Sequence, residues 1–161
     1  MTHEATAPHP APRPIPLTRP WEYELHFPRD PRAPHIARGL LRAVLCAHEL
    51  GELADRAELL ASELATNSVR HTPGPAAMRL RWTHPVLRVS VSDPSPVFPA
   101  RLAVPCPADR EGGRGLELLD HLADTWGGGA REAAAPGQTG KVVWFELRLP
   151  ATPPTPPALA A

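Results

Sequence analysis

The chain has 161 residues, 23 of them proline, with 17 basic and 17 acidic side chains and a formal net charge of zero. That length suits one compact domain with a real core and is short for two. A neutral chain lacks the electrostatic footprint of a nucleic-acid binder, and no stretch approaches the ~18 consecutive apolar residues of a membrane helix. DNA, RNA and membrane are therefore not expected as partners, and a cytoplasmic protein is expected.

Prolines at 8, 10, 12, 14 and 16 block regular hydrogen bonding, so residues 1–20 are expected to form a disordered, polyproline-like tail. Residues 150–161 repeat that composition, which leaves 21–149 as the folded domain. Trp21, Tyr23, Leu25 and Phe27 alternate with Glu22, Glu24 and His26, the period of a half-buried strand, which stops at Pro28. From His35 to Glu49 the residues Ile36, Leu40, Leu41, Val44 and Leu45 follow helical spacing, closed by Leu50-Gly51. A second helix is expected from about Leu53 to Arg70, ended by Thr72-Pro73-Gly74-Pro75.

Met78, Leu80 and Trp82 mark the inward face of one strand and Leu87, Val89 and Val91 that of the next, with His84-Pro85 as the hairpin turn and Arg79, Arg81, Arg88 and Ser90 facing away. The Pro-rich stretch from Asp93 to Glu111 shows no sustained period and is long enough to suggest a functional lid. A third helix begins near Arg114 with Leu116, Leu119 and Leu122, followed by a short strand around Asp124-Thr125-Trp126 and a loop through Gly127-Gly128-Gly129. The last strand runs from Lys141 to Leu149. Cys46 and Cys106 form no Cys-x-x-Cys pair and the histidines lack zinc-ligand spacing, so free thiols are expected and no cysteine-built metal site.

Three stretches carry candidate chemistry. Glu63, Asn67 and His71 lie four residues apart, so one helix face presents a carboxylate, an amide and an imidazole, with Leu60, Leu64 and Ala65 on rows that can bury. Asp93 ends a strand in Asp93-Pro94-Ser95-Pro96. Gly112-Gly113-Arg114-Gly115 opens a helix whose free N–H groups favour phosphate oxygens. Each has an ordinary counterpart: a solvated helix face, an Asp-Pro turn, a glycine-rich helix entry. Arg114 is equally a solvent-facing charge, and His71 equally a helix cap.

In this order and spacing, Glu63-Leu64-Ala65-Thr66-Asn67-Ser68-Val69-Arg70-His71, Val91-Ser92-Asp93-Pro94-Ser95, Gly112-Gly113-Arg114-Gly115-Leu116 and Gly140-Lys141-Val142-Val143-Trp144 resemble the successive boxes of a GHKL ATPase/kinase domain. The similarity spans about Trp21 to Leu149, and the branch it resembles is the small anti-sigma-factor serine kinase type common in actinobacteria. The resemblance implies the Bergerat ATP-binding fold, a two-layer α/β sandwich whose mixed, mostly antiparallel sheet carries three helices on one face. It implies ATP and Mg2+ as cofactors.

Carried over by position, Asn67 would hold the magnesium, Glu63 would be the general base, and Asp93 would accept the adenine amino group. Gly113, Arg114, Gly115 and Leu116 would form the phosphate-binding helix entry. The implied activity is transfer of the ATP γ-phosphoryl group to a serine or threonine of an anti-anti-sigma-like antagonist protein, with a sigma factor as a further partner and a homodimer left open. The alternative is a non-catalytic module that sequesters a regulatory partner. Two features depart from the pattern: Val142 stands where the branch has a threonine whose hydroxyl is expected to join the water network around Asp93, and the aspartate box lacks the glycines of the wider superfamily, with Ser95 where glycine is frequent. No dimerisation helices of the histidine-kinase kind precede the domain, so autophosphorylation on a chain-borne histidine is not expected.

Overall fold

The computed structural model describes residues 11–97, 114–132 and 139–151. Along the chain run β1 (Trp21–Phe27), α1 (Ala33–Ala47), α2 (Gly51–His71), β2 (Ala76–Thr83), β3 (Val86–Asp93), α3 (Arg114–Leu122), β4 (Thr125–Glu132) and β5 (Thr139–Arg148). The five strands form one sheet in the order β1-β2-β3-β5-β4, and every pairing is antiparallel. The helices lie on one face of it, giving the two-layer α/β sandwich expected from the sequence. Most of the expected lid, from residue 98 to 111, lies outside the described residues, as does Cys106; Cys46 is a free, exposed thiol.

Strand alternation sorts the side chains. Met78, Leu80 and Trp82 of β2, Leu87, Val89 and Val91 of β3, and Val143, Phe145 and Leu147 of β5 are buried beneath the helices. Against them α2 sets Leu53, Ala54, Ala57, Leu60, Ala61, Leu64, Ala65 and Ser68, spaced at three and four residues. Half of this stripe is alanine, so the α2 backbone can approach the sheet closely while the leucines fill the gaps. α2 packs on α1, α3, β2, β3 and β5 and is the centre of the helix layer. The segment before β1 is tied to the core as well: Leu17 packs on it and its carbonyl accepts the Trp82 indole N–H at 2.6 Å.

α1 starts at Ala33, two residues before the expected His35, because Pro34 suits the first turn, where its missing N–H costs no hydrogen bond. Asp30 braces that entry by accepting the Arg32 backbone N–H at 2.8 Å and its guanidinium, which lowers the Asp30 carboxyl to about 2. Arg42 of α1 clasps Asp55 and Glu58 of α2 and holds the Glu58 carboxyl below its ordinary range.

The open face differs from expectation at β4. Gly127, Gly128 and Gly129 were expected in a loop, yet they continue the strand through Glu132, paired with Trp144, Val143 and Val142. The reason is steric: a Cβ at Gly127 would sit 2.8 Å from Cζ2 of Trp144, so the glycine gives the indole its bed. Arg88 covers the other side, its guanidinium carbon 3.7 Å from the ring centroid.

The α1–α2 turn puts Glu49 at φ 60°, the left-handed region, while its N–H donates to Cys46 O and that of Leu50 to Leu45 O. A non-glycine residue there costs about 1–2 kcal/mol, against about 0.4–1 kcal/mol of extra unfolded-state entropy for glycine. Glu49→Gly should therefore raise the thermal midpoint by about 2–4 °C per kcal/mol gained; a lower midpoint would show that the turn is unstrained.

Candidate functional site

The site grows from a buried charge. Asp93 is the last residue of β3 and is 4% exposed. Three donors meet it: the Ser68 hydroxyl donates to Oδ2 at 2.9 Å, the Ser95 backbone N–H donates to Oδ1 at 3.0 Å, and the Lys141 ammonium lies 3.2 Å from Oδ1. The Ser95 contact is the Asx turn that the Asp93-Pro94-Ser95 sequence favours, so the turn reading and the acceptor reading of Asp93 hold together. Ser68 comes from α2 and Lys141 from β5, opposite Asp93 in the strand register. The approach is close enough to demand glycine next door, since a Cβ at Gly140 would lie 2.5 Å from the Asp93 carbonyl oxygen.

Of the expected residues, Glu63 and Asn67 lie on α2, each half-buried, one helical turn or about 6 Å apart along the axis. Neither makes a hydrogen bond or ion pair among the described residues. His71 is the last residue of α2 and is exposed. Gly112 and Gly113 lie outside the described residues, as does the side chain of Arg114; the Arg114 and Gly115 backbone opens α3. Leu116 is buried in the core at 5% exposure, so its backbone N–H, not its side chain, faces the helix entry. The far end of α3 is pinned by Arg56, which donates to Leu122 O at 3.0 and 2.6 Å, a cation at a helix C-terminus.

Val142 requires a correction. It faces the open side of the sheet, where it lines a groove of about 420 Å³ with Arg79, Arg81, Arg88, Ser90 and Trp144. It cannot join a network around Asp93, because successive strand residues point to opposite faces. The residue of β5 on the Asp93 side is Lys141, 2% exposed, which presents an ammonium to the carboxylate. Sequence reading missed Lys141 and Ser68. Their signal was present: Ser68 falls on the same helical row as Leu60 and Leu64, and Lys141 on the same strand face as Val143, Phe145 and Leu147.

This carboxylate at a strand end beneath a helix carrying Glu63 and Asn67 coincides with a sequence match. The family model described as the histidine kinase-like ATPase domain matches residues 27–147. The chain belongs to that family. It is also 41% identical over 69 residues to Uncharacterized protein SCO4941 of Streptomyces coelicolor, a match covering 41% of this chain and 66% of the relative. The chain thus spans just under two thirds of the relative it matches.

Within this histidine kinase-like domain, Asp93 and Lys141 neutralise one another out of water, so removing one partner strands the other. Asp93→Ala should destabilise by about 3–5 kcal/mol, and Asp93→Ala with Lys141→Met by clearly less than the single change. Denaturant unfolding of the four chains measures this coupling; additive effects would show that the two charges do not interact.

Proposed function

We propose that the chain binds ATP with magnesium between α2 and the sheet and transfers the γ-phosphoryl group to a serine or threonine hydroxyl of a partner protein, an antagonist of the anti-anti-sigma kind. Membership of the histidine kinase-like ATPase family supports the nucleotide. The observation that carries the reading is the Ser68 to Asp93 hydrogen bond at 2.9 Å, which fastens the turn of α2 bearing Asn67 to the strand end bearing the buried carboxylate.

The residues fit the cofactor. A carboxylate offers about four acceptor positions, and the three donors on Asp93 leave room for one more, suited to an exocyclic amine. Asn67 offers a neutral oxygen ligand of the sort that magnesium accepts alongside retained waters. When bound, magnesium neutralises phosphate charge. Glu63, one turn earlier and half-buried, is the group to take the proton of an attacking hydroxyl. Burial of Asp93 keeps water from competing for its remaining lone pair, and the rest of the task is positioning.

Titration calorimetry with ATP and Mg2+ tests the reading. The wild type should saturate, Asn67→Ala should abolish the magnesium-dependent binding, and Glu63→Ala should bind within about twofold of wild type while phosphoryl transfer falls about 10²- to 10⁴-fold. No saturation at millimolar ATP would remove the nucleotide; transfer undiminished in Glu63→Ala would remove its role as base. Bound ATP with no transfer to any antagonist protein would leave a sequestering module.

A further inference from the structure

We propose that Lys141 is a specificity-determining residue of the nucleotide site: its ammonium donates to a ring nitrogen beside the exocyclic amine that Asp93 accepts, so that the pair reads the base edge as donor and acceptor together. This rests on the ATP reading above. The Lys141 side chain is 3% exposed and the Asp93 side chain 1%. An ammonium carries three protons, and Asp93 is its one partner among the described residues. A buried donor with unused protons is costly, and a buried ion pair by itself adds little to stability compared with apolar side chains of similar size. The strand face it occupies is otherwise filled by Val143, Phe145 and Leu147, so a fourth apolar residue would have served the core as well.

The remaining capacities match a ligand edge. Asp93 keeps one acceptor position, on Oδ2 beside the Ser68 hydroxyl, while Lys141, held 3.2 Å from Oδ1 of the same carboxylate, keeps donors. Adenine presents the complement in two places, since its N6 amine is flanked by N1 on one edge and by N7 on the other. A hydroxyl could donate or accept at this position, whereas an ammonium only donates. The base must therefore bring an acceptor next to its amine.

Analogues lacking each nitrogen test the proposal by titration calorimetry. Wild-type protein should bind either 1-deaza-ATP or 7-deaza-ATP at least tenfold more weakly than ATP, the loss of one charged hydrogen bond. In Lys141→Met that discrimination should vanish to within about twofold, and Lys141→Arg should restore part of it. A purely structural lysine would weaken all three ligands by one factor and leave their ratios unchanged, which would overturn the proposal. The wild-type comparison needs no variant to fold: both analogues binding as tightly as ATP would overturn it alone. Absence of any ATP binding would overturn the nucleotide reading itself, a result distinct from equal binding of the three.

Discussion

A carboxylate withdrawn from water must be met by donors, and around Asp93 that requirement joins three separate parts of the chain. Ser68 reaches it from the buried row of α2, Ser95 from the turn that leaves β3, and Lys141 from the neighbouring strand β5. Each donor is useful only if α2 lies close to the sheet, β3 and β5 keep their register, and Gly140 lets the two backbones approach. A one-residue slip of β5 would carry Lys141 to the open face and leave Asp93 short of its countercharge. The polar cluster thus selects one arrangement of the layers, whereas the apolar core would tolerate several.

The same alternation gives the sheet two faces with different chemistry. Beneath the helices lie the apolar rows that end in Asp93 and Lys141. On the open face the strands exchange ion pairs, Arg79 with Glu24 at 2.6 Å, Arg81 with Glu22 at 3.0 Å and Arg88 with Glu146 at 2.9 Å. These exposed pairs are worth little individually, but Arg79, Arg81 and Arg88 each already have a carboxylate. Asn67, Glu63 and the spare protons of Lys141, by contrast, are on the helix side.

Much of this was legible in the sequence. The order of elements followed from period: Trp21 to Phe27 alternates, and apolar residues of α1 and α2 repeat at three and four residues, although Ile36 and Leu40 of the α1 series are exposed and Ala33 and Ala37 are buried in its row instead. Asp93 stood out as an acid at the end of an apolar strand. What escaped were facts that need a register. Gly127 to Gly129 suggest a loop until Trp144 is placed opposite Gly127, and the ring that makes glycine necessary belongs to the following strand, on a residue far along the chain. Val142 and Lys141 differ by one residue, and only the pairing of Asp93 with Lys141 decides which faces the site. Ser68 looked like one polar residue among several at the end of α2, because its partner is 25 residues away.

The central claim is that a nucleotide docks on the helix side of the sheet with its base at Asp93. Amide and side-chain NMR shifts of the full chain, followed as ATP and Mg2+ are added, test it most directly. The account predicts that the largest changes fall on the Ser95 amide, the Asn67 and Ser68 turn of α2 and the Lys141 ammonium, while the guanidinium signals of Arg79, Arg81 and Arg88 stay in place. Changes centred on the groove around Trp144, with Ser95 and Lys141 unmoved, would contradict it.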